Sequence, residues 1–318
     1  MLRSIIHRLL QSLIVLLAVS FAVYGLMGLM PGDPIDLMVS ADPNLTPADA
    51  ARLKALYGLD QPLLQRYGHW LSAALNGDFG YSRLFAKPVL EVLPDALSHT
   101  ARLMVAALAL SLLIGLPMGM WAATRPYSKL DYGVNLLAFA GISIPPFWLG
   151  LLLILVFAVF LGILPAGGIG HEGGWSGLSY LVLPVASLTI ASIGGHTRYM
   201  RAAMIETLRA DHVRTARAKG LSEQRVVLGH ALRNALLPVA TIVGMDFGML
   251  FSGALITETI FAYPGMGRLI YDAVMGNDFN LALVTLLLAT AMTLLGNLLA
   301  DLAYMGLDPR IHFREANP

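Results

Sequence analysis

The chain contains no cysteine, which excludes disulfides, thiolate metal sites, cysteine nucleophiles and palmitoylation and leaves every outward loop to hold its shape by packing alone. Charge is scarce as well. Asp, Glu, Lys and Arg make up 13% of the 318 residues, against roughly 25% in an ordinary soluble domain. With a formal net charge of +1, the chain lacks the concentrated basic face that a nucleic-acid partner requires. No G-x-x-x-x-G-K-[ST], H-E-x-x-H or G-x-S-x-G pattern occurs, so the sequence predicts no catalytic residue, and any ATP the protein uses must be bound by another chain. The eight histidines (His7, His69, His99, His171, His196, His212, His230 and His312) are scattered over loops and helix ends. None has metal-ligand spacing, and they read as solvated or packing residues.

What the chain has in abundance is apolar surface: 57% of residues are hydrophobic and the mean hydropathy is +0.68. Each crossing of a bilayer needs about 20 mainly apolar residues. Six stretches qualify: Leu10 to Met30, Leu103 to Ala123, Val134 to Ile163, Leu178 to Gly195, Val239 to Thr257 and Leu281 to Ala300. The expected fold class is therefore an all-α polytopic membrane protein with six transmembrane helices. Pro145-Pro146 should kink or break the third span, because proline removes a backbone donor and clashes with the preceding turn. The fourth is the weakest candidate, being short and interrupted by Pro184. The first follows Arg3 and Arg8 as a signal peptide would, but its uncharged run exceeds the usual 7 to 15 residues and no small-x-small site precedes Pro31. It is expected to remain as an uncleaved helix.

Lys and Arg mark the cytoplasmic side of short loops. Placing the N-terminus inside assigns 14 of the 21 to the cytoplasm, eight of them between Arg198 and Arg233. Both termini are then cytoplasmic. The expected organisation is residues 1–30 as N-terminus and first helix, 31–97 as a small outward-facing cap, 98–308 as a core with a cytoplasmic loop at 198–235, and 309–318 as a cytoplasmic tail. Within the cap, Thr46-Pro47-Ala48-Asp49 reads as a helix start with proline at the first helical position. Tyr57, Tyr67, Trp70 and Phe79 supply aromatic bulk, which suits either a packed lid or a substrate-delivery element.

The loop at 198–235 carries the most local information. One helix is expected to run to about Lys219, with Gly220 in the left-handed position after it and Leu221 as the following apolar residue. Ser222 should cap the next helix, with Glu223 in its first turn. In the segment Thr215, Ala216, Arg217, Ala218, Lys219, Gly220, Leu221, the small residues allow another protein's surface close to the backbone while the cations keep the knuckle in water. The competing reading is an amphipathic loop lying on the membrane surface. Asp246 sits eight residues into the expected fifth span, about 12 Å along the helix, where a carboxylate marks either a pathway or a hydrogen-bonded contact between helices. Arg102 and Asp301 fall at helix ends and read as interfacial.

The knuckle resembles the EAA loop of the membrane subunits of ATP-binding-cassette importers, whose pattern is E-A-A, three residues, Gly, nine residues, then I-x-L-P. Aligned on Gly220, residues Ala216, Gly220 and Leu232 agree, while Arg214 replaces the acid and His230 and Arg233 replace the Ile and Pro. End to end the chain resembles the dipeptide/oligopeptide permease branch. The strings that carry this are Pro31-Gly32-Asp33-Pro34, Tyr57-Gly58-Leu59-Asp60-Gln61-Pro62, Gly77-Asp78-Phe79-Gly80, Ser143-Ile144-Pro145-Pro146-Phe147-Trp148, Phe261-Ala262-Tyr263-Pro264-Gly265-Met266-Gly267 and Asp308-Pro309-Arg310-Ile311.

The resemblance implies a type I importer permease fold in a bacterial inner membrane. It implies a second, similar permease, two ATP-binding subunits that hold the ATP and Mg, and an extracytoplasmic substrate-binding protein as partners, besides membrane lipid. Thr215 to Leu221 would be the coupling helix, and Glu258, Tyr263 and Arg268, in and beside the Phe261 to Gly267 turn, would face the binding protein. Short peptides are the implied cargo, with nickel chelates, glutathione, opines and sugars as alternatives. Two other classes compete. An ion-coupled secondary transporter would use Asp246 but lacks an inverted repeat, and an intramembrane enzyme would need a nucleophile-base pair that the sequence does not display.

Overall fold

The computed structural model describes residues 2–28, 46, 61–170, 175–249 and 254–307. Helix α1 (Leu2–Met27) is followed by α2 (Leu63–Leu75), a short antiparallel hairpin of β1 (Tyr81–Ser82) and β2 (Lys87–Pro88), and α3 (Val89–Thr124). Then come α4 (Lys129–Ser143), α5 (Pro146–Leu153) running on as a π-helical segment to Phe160, α6 (Trp175–Leu208) and α7 (Asp211–Ala218). The remainder is α8 (Glu223–Arg225), continued through π-helical Val226–Ala231 into α9 (Leu232–Met249), then α10 (Leu255–Ile260), α11 (Met266–Met275) and α12 (Phe279–Leu307). Among the described residues five helices are long and apolar enough to cross a membrane, or six if the bent α4–α5 pair is one span.

That bend is 95°, and the prolines cause it. Ile144 is extended (φ −84°, ψ 120°) and so is Pro145 (φ −59°, ψ 131°), because a residue preceding proline is driven out of the helical region. Pro146 then opens α5 at a position where its missing N–H costs nothing. Pro184, by contrast, does not interrupt the fourth span, which is continuous from Gly177 to Leu208. Neighbouring helices readily support a helix across one lost hydrogen bond in a membrane, and α6 packs along α3, α4 and α9.

The α3–α6 contact depends on glycine. A Cβ at Gly119 would lie 2.3 Å from the Thr197 carbonyl oxygen, and one at Gly115 would lie 3.1 Å from the His196 Cβ. On the other side of α6, a Cβ at Gly194 would lie 2.3 Å from the Ala138 carbonyl oxygen in α4. These are the close approaches that small residues four apart permit between membrane helices, and the Gly115-x-x-x-Gly119 spacing was not among the features singled out from the sequence.

Two other expectations are corrected. The helix of the fifth span begins earlier than Val239: it runs from Glu223 through the π-helical turn into α9, described to Met249, with Arg225 and Arg233 exposed. Leu255 to Thr257 belong to the separate helix α10. Helix α3 begins at Val89, within the outward region, and its 36 residues reach about 54 Å.

Between the first span and the hairpin, α2 seats aromatic rings against α1, whose Tyr24 also meets Phe279 of α12. The Ser20 hydroxyl lies 2.6 Å from the Tyr67 hydroxyl, Tyr67 stacks on Trp70, and Tyr24 meets Tyr67 and Phe279 edge-on. The hairpin is fastened to the start of α12: Asp278 accepts hydrogen bonds from the Ser82 hydroxyl at 2.6 Å and the Leu84 N–H at 3.0 Å. At the opposite end of α1, Arg8 pairs with Asp301 at 2.5 Å, and α1 packs along α12. The strings at Pro31 to Pro34, Tyr57 to Asp60 and Asp308 to Ile311, and the helix start at Pro47 to Asp49, lie outside the described residues.

Candidate functional site

Three places bear on function, beginning with the knuckle that follows α6. The helix expected to reach Lys219 is two helices, because α6 ends at Leu208 and the chain turns through Arg209 and Ala210 before α7. Val213 and Ala216 on α7 are buried among Met200, Met204, Val226, Val227 and Ala231. That occupies the apolar face a membrane-surface helix would need, so the lipid-surface reading loses its physical basis. It also corrects the reading of Ala216, which contacts this chain's own core. The exposed surface comprises Arg214, Thr215, Arg217, Ala218, Lys219 and Gly220, with Leu221 half-buried.

Lys219 closes α7 and Gly220 follows with φ +76°, the left-handed geometry expected of it. A Cβ at Gly220 would meet nothing within 4 Å, so backbone conformation alone selects glycine there. Across this turn the Arg217 guanidinium donates two hydrogen bonds to Glu223, at 2.6 and 3.1 Å, which fasten α7 to α8 and hold the Arg217 pKa above its ordinary value. Arg214 pairs with Asp211, and that hydrogen bond pulls the exposed Asp211 carboxyl below the usual range. Ser222 stands at the first cap position but makes no side-chain capping bond, contrary to expectation. The Arg217–Glu223 fork supplies the fastening instead.

The second place lies within the spans. His196, on α6, is buried. Its Nδ1 lies 2.6 Å from the Ser111 hydroxyl of α3, and its Nε2 lies 2.7 Å from Asp246 Oδ2 on α9. Asp246 therefore has a basic partner, contributed by another helix, and the sequence offered no local spacing that would reveal it. The trio also supplies the Ser-His-Asp set that the sequence did not display. It is not a nucleophile, however: Ser111 is fully buried, with relative exposure 0%, and no acyl group can reach it. Farther along α6, Arg201 forks onto Asp131 of α4 at 2.6 and 2.7 Å, and Ser128 caps α4 through the Asp131 N–H.

The third place is the turn between α10 and α11. Glu258 is fully buried. Its Oε1 accepts from the Thr100 hydroxyl at 2.6 Å, its Oε2 accepts from the Arg268 N–H at 3.0 Å, and Thr100 Oγ1 in turn accepts from the Met266 N–H at 2.7 Å. Tyr263 is also buried, and burial pushes its hydroxyl pKa up. Neither side chain is presented to a partner, which corrects their expected contact with a binding protein. They shape the turn. Arg268 does line a cleft of about 540 Å³ together with Glu91, Asp95, His99 and Asp272, and its guanidinium lies 3.5 Å from Asp272.

Removing the Glu258 carboxylate leaves the Thr100 hydroxyl and the Arg268 N–H without acceptors in a closed space. Hydrogen bonds to charged groups are worth about 1.5–3 kcal/mol each, so Glu258→Ala is expected to destabilise the subunit by about 3 kcal/mol. Thermal unfolding of the purified complex checks this. An unchanged midpoint would mean the turn is held by packing alone.

The profile of the family described as "Binding-protein-dependent transport system inner membrane component" matches residues 115–313. The corresponding N-terminal profile matches residues 1–104. The chain belongs to this family. As a binding-protein-dependent permease it is a non-catalytic, multi-pass subunit of an ATP-binding-cassette importer. It is 39% identical to the oligopeptide transport system permease protein AppB of Bacillus subtilis, over 97% of this chain and 99% of that one. It is 41% identical to a putative peptide permease protein of Brucella suis, over 98% and 99%. Identity to the dipeptide transport system permease protein DppB of Escherichia coli is 33%, over 99% and 100%. The fold is that of type I importer permeases: an inward-facing methionine ABC transporter, MetNI, superposes with a TM-score of 0.57 at 19% identity, covering 69% of this permease and 97% of that chain. An amino acid ABC transporter gives 0.54 at 16% identity, over 68% and 94%.

Proposed function

We propose that this permease forms half of the translocation pathway for short peptides, beside a second, similar permease, on two ATP-binding subunits that hold ATP and Mg. An extracytoplasmic binding protein delivers the cargo. The protein lies in a bacterial inner membrane with both termini cytoplasmic, as the clustering of Lys and Arg between Arg198 and Arg233 favours. The observation that carries the cargo assignment is similarity over the whole chain to permeases named for peptides.

In this reading the exposed side of Arg214 to Gly220 docks on an ATP-binding subunit. The knuckle's buried side is continuous with the cytoplasmic parts of α6 and α9, so closure of the ATPases moves those helices with it. The pathway then alternates between inward-open and outward-open by rigid-body motion. Tight contacts would be a handicap in a wall that passes many side chains, so cargo preference belongs to the binding protein. Residues 31–97 supply the outward cap.

The test is reconstitution of the four membrane-associated subunits with the binding protein in vesicles. Peptide-loaded binding protein is expected to raise ATP hydrolysis and drive peptide uptake. Stimulation by nickel chelates, glutathione, opines or sugars, with no response to any peptide, would replace the cargo. Uptake driven by an ion gradient without ATP would replace the importer reading with a secondary transporter.

A further inference from the structure

We propose that Asp246, aimed by His196 and Ser111, is the wall contact that receives the ammonium group of a peptide in transit; this rests on the peptide reading above. The three residues come from α3, α6 and α9, and Ser111 lies about 20 Å along α3 from Thr124 at 1.5 Å per residue, well inside a hydrocarbon layer about 30 Å thick.

The trio is closed at one end and open at the other. Ser111 is fully buried, His196 is 4% exposed, and the Asp246 side chain is 40% exposed. Both ring nitrogens of His196 have a partner, Nδ1 the Ser111 hydroxyl at 2.6 Å and Nε2 the Asp246 Oδ2 at 2.7 Å, so the ring orientation is fixed from both sides. Asp246 Oδ1 has no hydrogen bond among the described residues. A half-exposed carboxylate at this depth does not face lipid, where it would cost about 2.5–3.5 kcal/mol or more. It is an acceptor with one oxygen anchored and the other without a partner among the described residues.

The complement to such a group is a cation with several N–H donors. An ammonium meets that need, and every peptide with a free amino terminus carries one, as does a lysine side chain. A single contact to a group common to the cargo helps it enter a low-dielectric channel without reading side chains, which fits a permissive pathway. His196 and Ser111 act through Asp246 and are positioning residues.

The experiment uses the complete complex in vesicles, with trialanine, Ala-Lys-Ala and Ala-Glu-Ala each supplied at binding-protein saturation. The readout is peptide moved per ATP hydrolysed. Because charge-assisted hydrogen bonds are among the strong ones, Asp246→Asn is expected to lower this ratio about tenfold. With N-acetylated trialanine as a fourth cargo, a fall that spares only the acetylated peptide identifies the amino terminus as the contacting group, a fall confined to Ala-Lys-Ala identifies the side-chain ammonium, and an equal fall for all four would overturn the inference. His196→Leu should shift the four ratios in the same pattern, more weakly, which a merely structural histidine would not do. Unchanged ratios in Asp246→Asn would overturn the inference. So would loss of the assembled complex on size-exclusion chromatography, which would make Asp246 a contact with the neighbouring permease. A wild-type complex that moves no peptide overturns the function proposed above, and is distinguished from failure of this inference by that control.

Discussion

Gly220→Val is expected to cut peptide uptake per ATP hydrolysed about tenfold or more while the subunit still folds and assembles. The two halves of this result have separate physical causes. Gly220 has φ +76° and open space around its Cα, so valine meets no steric wall. What it meets is the left-handed backbone, which costs an ordinary residue about 1–2 kcal/mol and is worse for a β-branched one. That is small beside the 5–15 kcal/mol that holds a typical domain together, so the fold survives. The turn relieves its strain by opening, and the Arg217–Glu223 fork that spans it loses its geometry. The docking surface then no longer moves rigidly with α6 and α9. Uptake and ATP hydrolysis measured in the same vesicles check this. A variant that transports at the wild-type ratio would show that the turn's shape is irrelevant to coupling.

Gly119→Leu is expected to do the opposite and remove the folded subunit altogether. Its Cβ would lie 2.3 Å from the Thr197 carbonyl oxygen, 2.8 Å from the Met200 Cβ and 3.0 Å from the Arg201 nitrogen. Two of these three are backbone atoms, which no rotamer change can clear. Overpacking in ordinary cores costs about 1–3 kcal/mol. Here the whole α3–α6 seam must separate, so about 3 kcal/mol is a lower bound, and Arg201 would be pulled from Asp131. Membrane-fraction yield and the unfolding midpoint are the measurements. Gly119→Ala should be partly tolerated, with an intermediate midpoint. A leucine variant with normal yield and midpoint would mean that the helices lie farther apart than this.

The contrast between these glycines shows what was legible. Gly220 announced its role because a helix end is a local event: Lys219, Gly220 and Leu221 are adjacent, and the left-handed cap needs only those neighbours. The break at Pro145-Pro146 was legible for the same reason. The six apolar stretches identified the spans, but not their ends, since hydropathy falls gradually from α9 back to α8, with Arg233 and Arg225 exposed along the way. Pro184 misled because a missing donor weakens an isolated helix, whereas α6 is supported along its length by α3 and α4.

Residues whose meaning is set by a partner far along the chain were the ones that stayed hidden. His196 looked like one scattered histidine among eight, because Ser111 and Asp246 lie 85 and 50 residues away. Glu258 and Arg268 flank the outer turn and suggested a charged surface, yet the Glu258 carboxylate turns inward to Thr100, 158 residues distant. The break at Arg209-Ala210 carries neither glycine nor proline and gave no signal. Ala216 was read as a close-approach residue for another protein, and the pattern of small residues was real. Its partner proved to be this chain's own core, which the eight-residue helix α7 needs because so short a helix is not stable alone.

The knuckle after α6 is the proposed place where the ATP-binding subunits take hold. The absence of native cysteine makes it directly testable, with one cysteine placed at exposed Lys219 and, in a separate variant, one at buried Ala216. In the assembled importer, a short bifunctional thiol reagent should join Lys219→Cys to a cysteine on the ATP-binding subunit, with the yield changing between the nucleotide-free and ATP-bound states. Ala216→Cys should give little product. No cross-link from Lys219→Cys in a complex that transports peptide, or equal cross-linking from both positions, would contradict the assignment.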